Sequence, residues 1–586
     1  MKIVQRPAPA SAAQLPDNLH AVLKRVYGTR KVCSAQELSH ELEHLHPLGA
    51  LSGLEQAVEL LCDALRQRKR ILIVADFDAD GATSCALAVR ALRLLGATDV
   101  RYVVPNRFKF GYGLTPEIVA VAAQQHPDLL ITVDNGISSV EGVQAAQQLG
   151  IQVLVTDHHL PGAVLPAAEA IVNPNQPGDN FPSKNLAGVG VIFYVMLALR
   201  ARLRETNWFQ EKNIDDPNLA QLLDLVALGT VADVVPLDHN NRILVAQGLA
   251  RMRRDRCNAG IRALIHVAGR QQERLSTTDL SFMVAPRLNA AGRMEDMSLG
   301  IECLLSDDDD AAFTMAKRLD ELNHDRRSVE AGMQEQALAN LAAMRLDASA
   351  LPSGLCLFDA TWHQGVIGIL ASRIKERLHR PVIAFAVGAD DELKGSARSV
   401  PGLHIRDALE AVATRHPGLI TKFGGHAMAA GLTLKHAHLD AFSAAFDEEV
   451  RRHLPAAAMQ GIVETDGALS ADDLCLEFAE ALRHAGPWGQ GFPEPVFDGI
   501  FEVVSQRLLG EKHLKLVLRT PGQSKVIDAI QFNAIKNDAA PNASSPAGAQ
   551  DLPHAGAKLR VAYKLDINEY RGERNIQLII VHRESA

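Results

Sequence analysis

The chain has 586 residues, 47% of them hydrophobic and 22% charged, with a net charge of −9 at pH 7. Its length corresponds to several domain units and its apolar fraction is ordinary, which excludes a single compact core, a fibrous repeat and wholesale disorder. The acidic balance argues mildly against a general nucleic-acid binder, but acidic residues gathered around bound cations no longer repel a phosphate.

The first residues, MKIVQRPAPASAAQLPD, lack the apolar core of a signal peptide, and no run approaches the roughly 18 apolar residues of a membrane span. The sequence therefore predicts a cytoplasmic protein with residues 1–44 as a loosely attached N-terminal extension. The seven cysteines are far apart and form no CxxC pair, which predicts reduced, buried thiols. From Arg70 to about Asn173, short apolar runs (ILIVADF, VRYVVPN, LLITVDN, IQVLVTD, AIVNPN) alternate with alanine-rich helical stretches. That alternation predicts a parallel α/β sheet. Ligands collect at the carboxyl ends of such strands, where DFDADG, PNR, DNG and DHH all fall.

Residues from about 186 to 300 read as helical, and residues 309–345, opening on an acidic run, read as one long helix joining two domains. LCLFDATWHQGVIGILASRIKERLHRPVIAFAVG then repeats the strand, helix, strand pattern and opens a second α/β domain. Beyond about residue 460, strand-like runs predict a small β-barrel, interrupted by a flexible insertion near 536–558. The expected organisation is a catalytic domain at 45–305, a connecting helix at 306–348, a second α/β domain at 349–456 and a nucleic-acid-binding barrel at 457–586.

Asp76, Asp78 and Asp80 alternate directly after an apolar strand, so an extended segment would place three carboxylates on one side. One such aspartate is an ordinary helix cap. Three of them, followed by Asp134 and then Asp157, His158 and His159, favour a metal site, and the oxygen-rich donor set suits Mn²⁺ or Mg²⁺ better than structural zinc. Asp233, ending an apolar helical run, reads equally well as a helix-terminal residue or a ligand.

DFDADG, DNGI, TDHH, GTVADVVPL, RLNAAGRM, GSARS and FGGHAMAAG occur in that order. Together they resemble the DHH phosphoesterase superfamily, and within it the branch of single-strand-specific 5′-to-3′ DNA exonucleases, over nearly all of residues 45–584. The resemblance implies two α/β domains (DHH and DHHA1) joined by a long helix and followed by an oligonucleotide-binding (OB-like) barrel. It implies two divalent cations, Mn²⁺ or Mg²⁺, held by Asp76, Asp78, Asp80, Asp134, His158 and Asp233, with Asp134 bridging. His159 and Arg107 would act at the scissile phosphate. Asn289, Arg293, Ser396 and Arg398 would grip the 5′ end, and Gly424, Gly425 and His426 would contact substrate. Some superfamily members carry a histidine where this chain has Val74. The implied activity is two-metal hydrolysis of single-stranded DNA to 5′-mononucleotides in recombination and mismatch repair, by a monomer working near a single-strand-binding protein and a helicase.

Trp488, Phe492 and Phe497 tempt as base-stacking platforms but read as packing residues at a domain junction. Rival readings are a phosphodiesterase for short or cyclic oligonucleotides, a pyrophosphatase, and a catalytically silent strand-binding scaffold. The first two leave a β-rich tail of about 130 residues without work. The scaffold would be expected to have lost its ligands, which this chain retains.

Overall fold

The computed structural model describes residues 1–7, 15–105, 113–343, 351–425, 427–455, 459, 461–510, 512–534, 552–570 and 572–586. A strand, β1 (Lys2–Gln5), and a helix, α1 (Ala21–Thr29), open the chain. Five strands then form a parallel sheet: β2 (Ile71–Ala75), β3 (Val100–Val103), β4 (Leu129–Val133), β5 (Gln152–Thr156) and β6 (Ala170–Val172), in the order β3-β2-β4-β5-β6. β2 and β4 are buried along their whole length, and for that reason they read as unbroken apolar runs. The chain builds β3 on one side of β2 and the remaining strands on the other, so a crevice opens at the carboxyl ends of β2 and β4. Asp76 and Asp134 follow those two strands directly.

Helices α2 (Ala79–Leu94), α3 (Gly188–Glu205), α4 (Leu223–Ala232), α5 (His239–Arg253), α6 (Ala259–Val267) and α7 (Ala285–Met294) complete this layer. The connecting helix α8 (Asp309–Ala343) has 35 residues and is about 50 Å long. The second sheet holds β7 (Leu355–Phe358), β8 (Val382–Val387), β9 (Glu392–Arg398), β10 (Lys422–Gly425) and β11 (Ala429–Lys435), with helix α9 (Ile367–Leu378) crossing from β7 to β8. After β12 (Ile462–Thr465), five strands close a barrel: β13 (Phe497–Leu509), β14 (His513–Arg519), β15 (Val526–Gln531), β16 (Lys558–Tyr570) and β17 (Glu573–Ser585). The expected plan of two α/β domains, a long helix and a barrel is therefore present. Most of the expected insertion lies outside the described residues.

The N-terminal segment corrects one expectation. It is not loosely attached: β1 pairs in parallel with β12, from Lys2 opposite Ile462 to Gln5 opposite Thr465. α1 buries Val22, Val26 and Tyr27, and the Tyr27 ring stacks 6.1 Å from Trp488 and 6.2 Å from Phe492. Arg30 forms a two-pronged pair with Asp466, at 2.7 and 3.0 Å, with the Arg30 side chain 2% and the Asp466 side chain 0% exposed. Against the upward push of burial, Arg30 and Arg6 hold the Asp466 carboxyl below the usual range. Trp488 and Phe492 thus belong to a junction, and Phe497 is buried. Cys33 is exposed, unlike the expected buried thiols. Removing one partner of a buried pair strands the other charge, at a cost of about 3–5 kcal/mol. Arg30→Ala is therefore expected to lower the first calorimetric unfolding transition and to speed proteolysis of the N-terminal residues.

Candidate metal centre

The DFDADG segment does not stay extended. The chain turns into α2 at Ala79, with Asp78 as its cap: Asp78 Oδ1 accepts the N–H of Asp80 (2.9 Å) and of Gly81 (3.0 Å). Carboxylates are favoured at such a helix start. Asp80, in the first turn, is buried and accepts the N–H of Gly188 (2.7 Å) and Val189 (3.0 Å), so it holds the start of α3 as well. Asp134 leaves β4 in the left-handed region, with φ of +61°. Asp233 caps the carboxyl end of α4.

Asp157 organises the two histidines. Its Oδ2 accepts the N–H of Ile137 (2.9 Å), while Oδ1 accepts the His158 N–H (2.7 Å) and meets His159 Nδ1 at 2.7 Å. His158 Nε2 reaches Asp134 Oδ1 at 3.1 Å and Asp233 Oδ2 at 3.4 Å. Three groups of ligand atoms result, each within 4.8 Å: Asp76, Asp78 and Asp134; Asp134, His158 and His159; Asp80, His158 and Asp233. All six expected ligands come together, and Asp134 and His158 each belong to two groups.

The electrostatics describe a site short of positive charge. Burial, then the charges of Asp80 and Asp78, push the Asp134 carboxyl well up. Burial and the same two aspartates push Asp233 up. Asp80 rises to about 7 through burial and the Asp78 charge, against the pull of the Val189 and Gly188 amides. Oxygen donors with one or two imidazoles, crowded until their carboxylates resist ionising, fit hard divalent cations. Burial alone would push His159 down, but its hydrogen bond to Asp157, with the Asp157, Asp233 and Asp76 charges, carries it up to about 9.

Two glycines that sequence reasoning passed over let these groups approach. A Cβ on Gly188 would lie 2.7 Å from Asp134 Oδ1, and one on Gly229 would lie 2.2 Å from Thr83 Oγ1 and 2.7 Å from Asp80 Oδ1. The only signal was a glycine inside otherwise helical text, in AGVGV and ALGTVAD.

Of the expected phosphate-gripping residues, Asn289 and Arg293 lie on α7, and Ser396 and Arg398 on β9. Asn289 Oδ1 accepts the Ala79 N–H at 2.9 Å, so this residue pins the metal loop. Gly292 lets α7 lie against that loop, since a Cβ there would meet the Phe77 carbonyl at 1.9 Å. The Arg293 carbonyl closes on Gly365 of the second domain, 2.5 Å from where a Cβ would stand. Arg398 donates to Ser396 Oγ at 3.1 Å, and both side chains crowd Gly368 in the first turn of α9. The start of a helix attracts anions. Gly424 lies opposite Gly431, which lies opposite Ser396, leaving a strip of bare backbone beside the serine. The two strands that carry this segment, β10 and β11, run antiparallel, with Gly425 at φ +147°. Arg287 pairs with Asp320 on α8 at 2.7 Å. Arg107 and His426 lie outside the described residues.

Gly188→Ala crowds Asp134 and is expected to weaken Mn²⁺ binding about 10- to 100-fold by free-ion titration, together with a lowered thermal unfolding transition. In cation-free protein, histidine NMR should show His159 titrating near 9. Asp157→Asn should bring that midpoint down towards the ordinary range, because it removes the charge holding the proton.

The DHH family N-terminal domain matches residues 70–230, the DHHA1 domain residues 348–452 and the RecJ OB domain residues 465–582. The chain is 54% identical to the single-stranded-DNA-specific exonuclease RecJ of Dickeya dadantii, covering 98% of each chain. It is also 54% identical to the Escherichia coli protein of that name, over 97% of this chain and 96% of the other. The crystal structure of RecJ in complex with Mn²⁺ from Thermus thermophilus matches with a TM-score of 0.79 at 29% identity, covering 100% of this chain and 79% of that one. The chain belongs to the RecJ family of single-stranded-DNA-specific exonucleases.

Proposed function

We propose that this protein is a divalent-cation-dependent exonuclease that degrades single-stranded DNA from its 5′ end to 5′-mononucleotides. The observation that carries this reading is the pair of shared ligands, Asp134 and His158, set beside a helix whose other flank leads to Ser396 and Arg398. The reading agrees with the names of the 54%-identical relatives and with the Mn²⁺ and Mg²⁺ complexes of the Thermus thermophilus protein.

Asp76, Asp78, Asp80, Asp134, His158 and Asp233 would hold two cations, Mn²⁺ or Mg²⁺, with Asp134 between them. When bound, such a pair activates water for in-line attack at phosphorus and neutralises the departing 3′-oxygen. The rest is done by side chains of this chain. Asp157 fixes the His159 ring through Nδ1, so that His159 stabilises charge on the scissile phosphate or passes a proton to the leaving oxygen. Arg107, carried over from the family motif, adds a bidentate donor. Arg293, Ser396, Arg398 and the start of α9 hold the 5′-phosphate, while Gly424, Gly425 and His426 let the backbone and an imidazole meet the strand. A phosphate held at a fixed distance from the cations sets the cut one nucleotide from the end. The barrel tracks the remaining strand through its phosphates, with strong salt dependence and little sequence preference.

The setting we propose is cytoplasmic recombination and mismatch repair, by a monomer working with a helicase and a single-strand-binding protein. No helix among the described residues is long and apolar enough to cross a membrane.

The test is digestion of an internally labelled single strand under Mn²⁺ or Mg²⁺ with either end blocked. Mononucleotides should appear, stop only when the 5′ end is blocked, and vanish in Asp134→Asn. Binding without cutting under either metal would favour the scaffold reading. Charge-assisted hydrogen bonds contribute about 1.5–3 kcal/mol. Arg398→Ala should accordingly raise KM for a 5′-phosphorylated strand roughly tenfold or more, with a smaller change in kcat.

A further inference from the structure

We propose that an arginine-lined cavity at the carboxyl end of α2 binds a nucleoside phosphate, at a site separate from the metal centre. The cavity has a volume of about 700 Å³. Its five arginines come from four segments: Arg90 and Arg93 on α2, Arg251 on the last turn of α5, Arg256 in the loop beyond it, and Arg262 on α6. Five arginines thus face three aspartates, Asp224, Asp307 and Asp309, in a chain of net charge −9.

The aspartates do not use up these cations. Asp307 pairs with Arg90 at 2.8 Å and Asp309 with Arg262 at 2.6 Å. Asp224 is spoken for by backbone, accepting the N–H of Leu225 (2.8 Å) and of Asn258 (2.6 Å). Burial pushes its carboxyl above the usual range, against the pull of those amides and of Arg251 and Arg90. Arg93, Arg251 and Arg256 are left over. Arg93 reaches only the Val100 carbonyl, at 3.4 Å; Arg251 Nε is buried without a hydrogen-bond partner; Arg256 is exposed at the rim. Cations are expected at helix carboxyl ends. That accounts for a basic last turn on α2 or α5, but not for four segments converging on one cavity around a buried, unmatched guanidinium nitrogen.

An apolar wall is offered by Leu94 and Leu305, with Leu94 39% exposed, while Leu222 and Leu225 are buried. An inorganic anion has no use for such a wall. A nucleoside phosphate offers an ionised group to the guanidinium forks and a flat ring to the leucines, and the volume lies within the range of about 300–1,000 Å³ of small-ligand sites. Two sources supply that chemistry: the mononucleotides released by the exonuclease, and nucleoside triphosphates. Arg90 and Arg93 lie roughly 15–20 Å along α2 from Asp80, at about 1.5 Å per residue, so a ligand here does not touch the metal ligands.

The experiment is calorimetric titration of the full chain in EDTA with dAMP, ATP, inorganic phosphate and adenosine. Without cations no strand is cut and the metal centre cannot recruit phosphate through an ion. One nucleotide should bind per chain in an Arg398→Ala background, in which the proposed 5′-phosphate grip is removed and only the arginine cavity remains. Arg251→Gln and Arg256→Ala should each weaken it at least tenfold, and Asp134→Asn should leave it unchanged. Tighter binding of dAMP would point to product as the source, and tighter binding of ATP to the triphosphate pool. Because Arg256 is exposed, its variant keeps the test valid even where Arg251→Gln fails to fold. The proposal is overturned by the absence of heat with either nucleotide, by inorganic phosphate binding as tightly as dAMP, or by unchanged affinity in Arg256→Ala. Arg256→Ala should also digest single strands with Mn²⁺ at the wild-type rate, so failure here leaves the exonuclease reading standing.

Discussion

Five aspartates compete for one crevice, and their mutual repulsion is the constraint around which the catalytic layer is arranged. Two carboxylates about 4 Å apart repel by roughly 4 kcal/mol at an effective dielectric constant near 20. The fold offsets part of this with peptide dipoles: Asp78 caps α2 and Asp80 holds the start of α3, so two helix termini supply N–H groups to two of the five. Another part is offset by the imidazole of His159, kept charged by Asp157. What remains calls for cations, and it weighs on Asp134 and Asp233, each pushed well up by burial and by the charges of Asp80 and Asp78.

That crowding exists only because helices come unusually close. Gly188 admits Asp134, and Gly229 admits Asp80 and Thr83, where any side chain would collide. The same device carries the site into the second domain: Gly292 seats α7 on the metal loop, Gly365 seats the second domain on the Arg293 carbonyl, and Gly368 opens the start of α9 to Ser396 and Arg398. A single helix, α7, therefore sets the distance between the acidic crevice and the pair Ser396 and Arg398.

Much of this was legible beforehand. The five parallel strands show as apolar runs because both faces of the sheet are covered, and the ligands are visible because they stand where those runs stop. The ordered motifs then supplied Asp233, which spacing alone left undecided. What was hidden depends on contacts distant in sequence. The N-terminal strand looks like a tail until β12 is in place, and Arg30 looks like any arginine until Asp466, 436 residues on, is buried against it. The alternation of DFDADG implies an extended segment, whereas the cap at Asp78 turns the chain into a helix before Asp80. Asn289 Oδ1 accepts the Ala79 N–H, a contact 210 residues apart that no motif shows.

The central claim is that the acidic crevice is completed by cations held jointly through Asp134. Counting bound Mn²⁺ per chain from the free-ion electron paramagnetic resonance signal tests it most directly. Two ions per wild-type chain, with both sites weakened together in Asp134→Asn, is the predicted result. A wild-type chain that binds no Mn²⁺, or an Asp134→Asn chain that keeps both ions at unchanged affinity, would contradict it.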